Sequence, residues 1–245
     1  MIWLPLGFFV TALLYASVGF GGGSTYSALL SLVGFDYRLL PLVSLACNVV
    51  VVTGSTVRFA RSAVIPWRRA LIVSLVAAPL AFLGGLTPIK QATFLFILGL
   101  SLVCAGLALL LPRASESEDC PHAAARYMGI AAAPLGYLAG LVGIGGGIFL
   151  APLLHLTRWA KAREIAATTS LFILINSLAG IVGQLAKNGP ERFAEAMTGA
   201  LPLLIAVIIG GQIGSLLALK LLPERVIRWL TAALTIWAGS RLLLG

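Results

Sequence analysis

The chain has 245 residues, of which 60% are hydrophobic and 10% are charged, and its mean hydropathy is +1.03. This composition excludes an ordinary soluble domain and indicates a single transmembrane domain over residues 1–245. A formal net charge of +9 would indicate a nucleic-acid partner in a soluble protein. Here most Lys and Arg residues lie in short loops between apolar runs, where retention on the cytoplasmic side explains them, so we expect no nucleic acid.

Apolar runs in chain order divide the sequence into two similar halves. Each half begins with an apolar run that ends in a glycine-rich break, continues through a short segment and ends with three long runs. Runs of about 20 residues are long enough to cross a bilayer as helices, so the sequence predicts an all-α integral membrane protein. The runs are 2–20, 24–33, 39–57, 70–86 and 91–111 in the first half, and 127–142, 148–156, 165–185, 196–219 and 226–244 in the second.

Three pairs of matching features, in the same order and at nearly constant spacing, indicate an internal duplication. The hexapeptide Gly19–Ser24 (Gly-Phe-Gly-Gly-Gly-Ser) returns as Gly143–Ile148 (Gly-Ile-Gly-Gly-Gly-Ile). The other pairs are Asn48 with Ser170 and Leu83-Gly84 with Ile213-Gly214. The predicted organisation is repeat one over 1–112, a polar linker over 113–126 and repeat two over 127–245.

Basic residues discriminate between parallel and inverted repeats, because Lys and Arg are retained in cytoplasmic loops. If each glycine-broken pair is a hairpin that returns to the side it left, 12 of the 17 basic residues are cytoplasmic and 5 are outside. If each pair crosses once, the division is 9 to 8. The hairpin topology therefore predicts two inverted repeats, each a glycine-broken hairpin plus three transmembrane helices. Many secondary transporters build a site at the bilayer midplane in this way.

The two glycine breaks mark the predicted binding site. Unpaired backbone N–H groups in hydrocarbon cost several kcal/mol each unless the broken backbone lines a cavity enclosed by protein. A half-helix that begins after such a break presents free N–H groups and the positive end of its dipole, both of which attract anions. Polar residues inside apolar runs add side-chain donors. The predicted substrate-binding residues are Gly21, Gly22, Gly23, Ser24, Thr25, Asn48, Gly145, Gly146, Gly147, Ser170 and Asn176.

Close helix packing is the alternative interpretation of the glycines, since small residues commonly fill helix contacts in membranes. Hydrogen bonding between helices is likewise our interpretation of Thr53, Ser177, Gln184 and Gln212. It also stays open as the alternative to substrate binding for Asn48, Ser170 and Asn176. The three cysteines show no ligand spacing, so we expect neither a metal site nor a cofactor.

The acidic residues are all predicted to lie outside the spans. They are Asp36, Glu116, Glu118, Asp119, Glu164, Glu191, Glu195 and Glu224. Carriers coupled to Na⁺ or H⁺ usually keep a carboxylate inside the membrane, so the inventory favours an anion held by N–H groups and hydroxyls. The membrane potential drives a monoanion outward by roughly 2.3 kcal/mol per 100 mV, which favours export.

Two other functions stay open at this point. A passive anion channel would use the same dipoles but would not saturate. A membrane-embedded enzyme for lipid-linked phosphates is the weaker alternative, because its chemistry needs Glu, His, Ser or Arg gathered in the membrane. We therefore expect no catalytic residues.

The paired Gly-x-Gly-Gly-Gly motifs at 19–23 and 143–147, the Thr168–Leu171 run and the two halves around a polar linker resemble the TauE/SafE sulfite exporter family over essentially the whole chain. The resemblance implies a multi-pass transporter of the bacterial inner membrane, with the lipid bilayer and a small anion such as sulfite or an organosulfonate as partners. It also implies that the glycine breaks, Asn48 and Ser170 line the path. Ala46-Cys47-Asn48 stands where a Thr commonly precedes the Asn or Ser, so the resemblance leaves the anion open. Association of copies into a homo-oligomer is also open.

Overall fold

Ten α-helices make up the computed structural model, which describes residues 3–110, 122–217 and 224–244. No β-strand occurs in these ranges, and the predicted all-α class is confirmed. The helices are α1 (Trp3–Val18), α2 (Gly23–Leu32), α3 (Leu40–Arg61), α4 (Trp67–Leu86), α5 (Gln91–Leu110), α6 (His122–Val142), α7 (Gly147–Leu156), α8 (Ala162–Asn188), α9 (Pro190–Leu217) and α10 (Glu224–Leu244).

The predicted runs match these helices in order, but several helices are longer than their runs. The helices α8 and α9 contain 27 and 28 residues because each continues past its apolar stretch into a polar first turn. The helix α6 begins at His122, inside the predicted linker, where the segment Ala123–Arg126 has high helix propensity. Residues 113–121 of that linker lie outside the described residues.

Four acidic residues that we predicted to lie in loops belong to helices instead. Glu164 lies in the first turn of α8, Glu191 and Glu195 lie in the first two turns of α9, and Glu224 is the first residue of α10. Glu191, Glu195 and the loop residue Asp36 are exposed, and Glu164 is half-buried. Among the described side chains, no carboxylate is therefore buried between the helices.

The outer surface of the helix bundle suits lipid. Leu75, Phe96, Ile130 and Leu201 are between 57% and 70% exposed, and a surface of such residues is unfavourable in water. Within the described ranges, five helices are long and apolar enough to cross a membrane, so the chain is a multi-pass membrane protein. They cover Leu40–Arg61, Trp67–Leu86, Gln91–Leu110, Ala162–Asn188 and Pro190–Gly214.

The two halves of the chain interlock through glycine contacts. The first helix of each half packs against the fourth helix of the other half, α1 against α9 and α6 against α4. A Cβ added at Gly84 of α4 would collide with the carbonyl oxygen of Tyr137 on α6. A Cβ at Gly214 of α9 would collide with the carbonyl oxygen of Leu13 on α1. Gly84 and Gly214, which the sequence pairs as repeat equivalents, thus make equivalent contacts.

Replacing Gly140 of α6 with alanine is expected to destabilise this packing, because a Cβ there collides with the carbonyl oxygen of Ala81 on α4. Overpacking that lowers the free energy of unfolding by about 2 kcal/mol lowers the melting temperature of a chain of this size by roughly 4–8 °C. Gly129 on the same helix is the matched control, since the nearest atoms to its added Cβ, on Ile72 and Val76, are 3.8 Å away. The gain in helix propensity is the same in both variants. Equal thermal denaturation of the two detergent-solubilised variants would contradict the close α4–α6 contact.

Candidate functional site

Each glycine break is followed by a half-helix. The helices α2 and α7 have 10 residues each, which is too short to cross a bilayer. Their N-caps are Gly22, with φ 86°, and Gly146, with φ 73°, both in the left-handed region. This conformation costs other residues about 1–2 kcal/mol and costs glycine almost nothing. The glycines therefore allow the chain to turn sharply into each half-helix.

The first turns of α2 and α7 carry amide groups that lack an acceptor in their own helix, as at every helix start. No side chain caps either helix. The surrounding segments 20–28 and 141–148 are buried throughout. Two positive helix ends thus lie inside the protein, an arrangement that favours an anion.

Asn48 of α3 lies between the two breaks. Its Nδ2 donates a hydrogen bond to the carbonyl oxygen of Ile144 at 3.2 Å and would be 2.6 Å from a Cβ added at Gly145. Added Cβ atoms at Gly21 and Gly23 would collide with the same side-chain amide. Asn48 is fully buried, and its Oδ1 has no hydrogen-bond partner among the described residues. A buried acceptor without a partner points to an absent water or ligand.

Ser170 of α8 makes the corresponding contact at the first break. Its Oγ donates to the carbonyl oxygen of Gly19 at 2.6 Å. Asn48 belongs to the first half and contacts both breaks, but its hydrogen bond goes to the second break. Ser170 belongs to the second half and bonds to the first break. The structure thus brings both predicted residues to the breaks, and each forms its hydrogen bond with the break of the other half.

The hydroxyls of Ser24 and Thr25 belong to a buried cluster around Tyr15 of α1. Tyr15 Oη lies 2.9 Å from Thr25 Oγ1 and 3.4 Å from Ser24 Oγ. It also lies 3.0 Å from Thr235 Oγ1 on α10. Ser24 and Thr25 therefore link the start of α2 to α1 and α10, and their role in substrate binding stays a prediction.

Asn176 donates through Nδ2 to the carbonyl oxygen of Phe172 in its own helix at 2.8 Å, and its binding role also stays a prediction. The adjacent Ser177 is closer to the second break, because a Cβ added at Gly145 would lie 3.3 Å from its Oγ. The Ser177 Oγ is buried without a partner in the described part of the chain. Ser177 follows Ser170 by seven residues, a helical repeat that places both on one face, and this spacing was the available sequence signal.

Thr169 is a further residue at the second break that the predicted set lacks. A Cβ added at Gly147 would be 2.9 Å from Thr169 Cγ2. The Oγ1 of Thr169 is buried and, within the described ranges, has no hydrogen-bond partner. Two residues of α8, Thr169 and Ser177, thus lie at the second break, and their hydroxyls have no hydrogen-bond partner among the described residues.

The helices α3 and α8 pack against each other in opposite directions beside the two breaks. The start of α3 adjoins the second break, where Pro41 Cα would be 2.5 Å from a Cβ on Gly143. The end of α3 adjoins the first break together with the start of α8. There a Cβ on Gly19 would be 3.4 Å from Phe59 Cε2 and 3.6 Å from the carbonyl oxygen of Ala166.

A bundle of lipid-facing helices that encloses two short helices and buried polar groups has the architecture of a membrane transporter. The Sulfite exporter TauE/SafE family matches residues 3–242, and the chain belongs to this family. It is therefore a membrane transporter and not an enzyme.

Two relatives support this assignment. The chain is 33% identical over 250 residues to the probable membrane transporter protein y4hK of Sinorhizobium fredii, covering 99% of this chain and 98% of the relative. It is 22% identical over 236 residues to the probable membrane transporter protein MJ0441 of Methanocaldococcus jannaschii, covering 89% and 86%. No solved structure matches the chain significantly.

Proposed function

We propose that this transporter exports small sulfur-containing anions, such as sulfite or organosulfonates, across the bacterial inner membrane. The anion is held near the bilayer midplane by the N–H groups at the starts of α2 and α7. The observation that carries the proposal is the meeting of two buried, uncapped half-helix starts at Asn48. The family description supports sulfite as cargo, while the names of the two relatives state only a transport function.

The donor inventory at the breaks fits a small monoanion. Each helix start carries roughly half an elementary charge, so two starts together balance about one negative charge. Asn48 Nδ2 keeps a second hydrogen after bonding Ile144, and the hydroxyls of Ser177 and Thr169 add donors. Asn48 Oδ1 would accept the O–H of a protonated anion such as hydrogen sulfite. No described carboxylate is buried there to repel the anion.

We further propose that the two halves, 1–112 and 127–245, are inverted repeats around the linker 113–126. The opposite directions of α3 and α8 support this proposal. The hydrogen bonds of Asn48 and Ser170 also support it, because each residue bonds to the break of the other half. The halves interlock through α1–α9 and α4–α6, so one half cannot rock against the other as a rigid body. We infer that the half-helices move with the α5–α10 pair, which packs against both of them.

The closest alternative, a passive anion channel, would use the same amide groups. The structure favours a carrier because the side chains of Asn48 and Ile173 occupy the space beside Gly21 and Gly145. A continuously open pore would leave that space free. In the carrier, these side chains separate the two ends of the path in this state.

Flux in proteoliposomes tests the proposal. Radiolabelled sulfite is compared with organosulfonates, sulfate and chloride, with the membrane potential clamped at two values. A carrier for a monoanion shows saturable, sulfur-selective flux whose driving force changes by about 2.3 kcal/mol per 100 mV. Flux that rises linearly with concentration and accepts chloride equally would instead establish a channel. Absence of flux for every sulfur anion would overturn the proposed cargo.

A further inference from the structure

A cavity of about 270 Å³ lies where the loop before α3, the loop before α5 and the turn between α8 and α9 meet. Its walls combine basic, amide and phenol groups with apolar side chains. Tyr37, Arg38, Pro41, Pro88, Ile89, Phe94, Leu141, Lys187, Asn188 and Arg192 line it. The cavity is separate from the polar groups of the glycine breaks described above.

The charge of this cavity is entirely positive. Arg38, Lys187 and Arg192 line it, and no carboxylate does. Three acidic residues lie close to these cations in sequence, Asp36 near Arg38 and Glu191 and Glu195 near Arg192, and all three are exposed and outside the lining. Asp36 accepts a hydrogen bond from the backbone N–H of Arg38 at 2.9 Å. Within the described residues, none of the three cations forms an ion pair. Like charges that line one cavity without ion-pair partners repel one another, and a bound anion relieves this repulsion.

Neighbouring groups hold two of the cations in place. Arg38 Nε donates to Tyr37 Oη at 3.3 Å, and its Cζ lies 5.6 Å from the centre of the Tyr37 ring. The hydrogen bond to Tyr37 raises the pKa of the Arg38 guanidinium, so the group stays charged. The half-buried Lys187 donates through Nζ to the carbonyl oxygen of Thr87 at 3.5 Å. Asn188 Nδ2 donates a hydrogen bond to the carbonyl oxygen of Arg38 at 3.5 Å and thereby joins the end of α8 to the loop before α3.

The apolar floor of the cavity adjoins the second glycine break. Pro41 and Leu141 line the cavity and are buried. Pro41 is in van der Waals contact with Gly143, and Leu141 precedes Gly143 by two residues. The cationic cavity and the second break therefore lie on either side of Pro41.

We propose that this cavity is a second anion-binding site, an outer vestibule that holds a small oxyanion between the external solution and the glycine breaks. The proposal rests on the proposed function for its cargo and on the hairpin topology for its side, since that topology places Arg38, Lys187 and Arg192 outside. The three cations attract and concentrate the oxyanion through their field, which added salt screens. The same positive charges attract the anion when it is released during export. They also attract an external anion when it enters during exchange.

Kinetics measured from each side of the membrane test the vestibule. The double variant Lys187→Gln with Arg192→Gln is compared with Arg61→Gln with Arg68→Gln, which removes two exposed charges at the opposite face. In proteoliposomes of known orientation, we expect the first variant to raise the apparent KM for external sulfite about tenfold at low salt and to flatten its salt dependence. The KM for internal sulfite stays unchanged. An unchanged external KM overturns the vestibule.

A chemical probe tests the cavity independently of transport. Asn188→Cys is introduced with Cys104→Ser and Cys120→Ser, and its reaction with a sulfonate-bearing thiol reagent is compared with an ammonium-bearing one. We expect the sulfonate reagent to react at least tenfold faster relative to a free thiol, and Lys187→Gln with Arg192→Gln to abolish that preference. Equal relative rates overturn the vestibule even if sulfite is transported. A clear preference in a protein that transports no sulfur anion overturns the proposed cargo and leaves the anion site standing.

Discussion

Asn48→Ala is expected to lower sulfite flux by tenfold or more. The substitution removes the donor to the carbonyl oxygen of Ile144 and the amide that contacts both breaks. An unpaired buried carbonyl costs about 1–3 kcal/mol, and each 1.4 kcal/mol corresponds to roughly tenfold in rate when the cost falls on the transporting state. Initial rates of labelled sulfite efflux, normalised to inserted protein, measure the loss.

Gln184→Ala is the matched control for this prediction. Gln184 is also a fully buried amide side chain, and its Nε2 donates at 3.1 Å to the carbonyl oxygen of Gly140 on α6, three residues before the second break. Both variants lose one buried hydrogen bond, and Gln184→Ala also loses the bond that Gln184 Oε1 accepts from Asn188 Nδ2 at 3.2 Å, so we expect it to lose at least as much thermal stability as Asn48→Ala. Only the Asn48 variant should lose transport. Equal flux in the two variants would remove Asn48 from the site.

Gly146→Leu is expected to abolish transport while the protein still inserts, and Gly22→Leu should do the same. A Cβ at Gly146 would lie 2.9 Å from Phe172 Cε1 and 3.0 Å from the carbonyl oxygen of Leu135, so any larger side chain displaces the start of α7. Flux below the detection limit, with normal protein in the membrane fraction, is the expected result.

Gly34→Leu is the control for Gly146→Leu, because it introduces the same backbone strain at a position away from the site. Gly34 also has a positive φ, 72°, but no atom lies within 4 Å of its added Cβ. Gly146→Leu and Gly34→Leu therefore both place a leucine in the left-handed backbone region, which costs about 1–2 kcal/mol of stability. We expect Gly34→Leu to retain most of the flux. Wild-type flux in the Gly146 variant would show that the second break has no part in transport.

The order of the helices and the position of the breaks were predictable because both depend on local patterns. Apolar runs of membrane-spanning length and two glycine hexapeptides locate α1 to α10 within a few residues. The repeat alignment also paired Asn48 with Ser170, and the structure brings these two residues to the two breaks. Helix ends were less predictable, because α8 and α9 extend beyond the apolar stretch on which the prediction relied.

Contacts between distant segments were not predictable from those patterns. The seven-residue spacing from Ser170 places Ser177 on the same helix face, but neither Ser177 nor Thr169 differs in type from residues that bond neighbouring helices. The packing of α8 beside the second break distinguishes them. The cationic vestibule joins Arg38 to Lys187 and Arg192, about 150 residues apart, through loops and helix ends. Charge counting placed these residues on one side of the membrane but could not place them around one cavity.

A structure of the protein with selenite, a heavier analogue of sulfite, tests the central claim most directly. Anomalous scattering locates selenium without ambiguity. The account predicts a selenium peak between the two breaks, within roughly 4 Å of an amide nitrogen at the start of α2 or α7, as N–H···O hydrogen bonds require. Selenite bound only away from both breaks, in a protein that transports it saturably, would contradict the account.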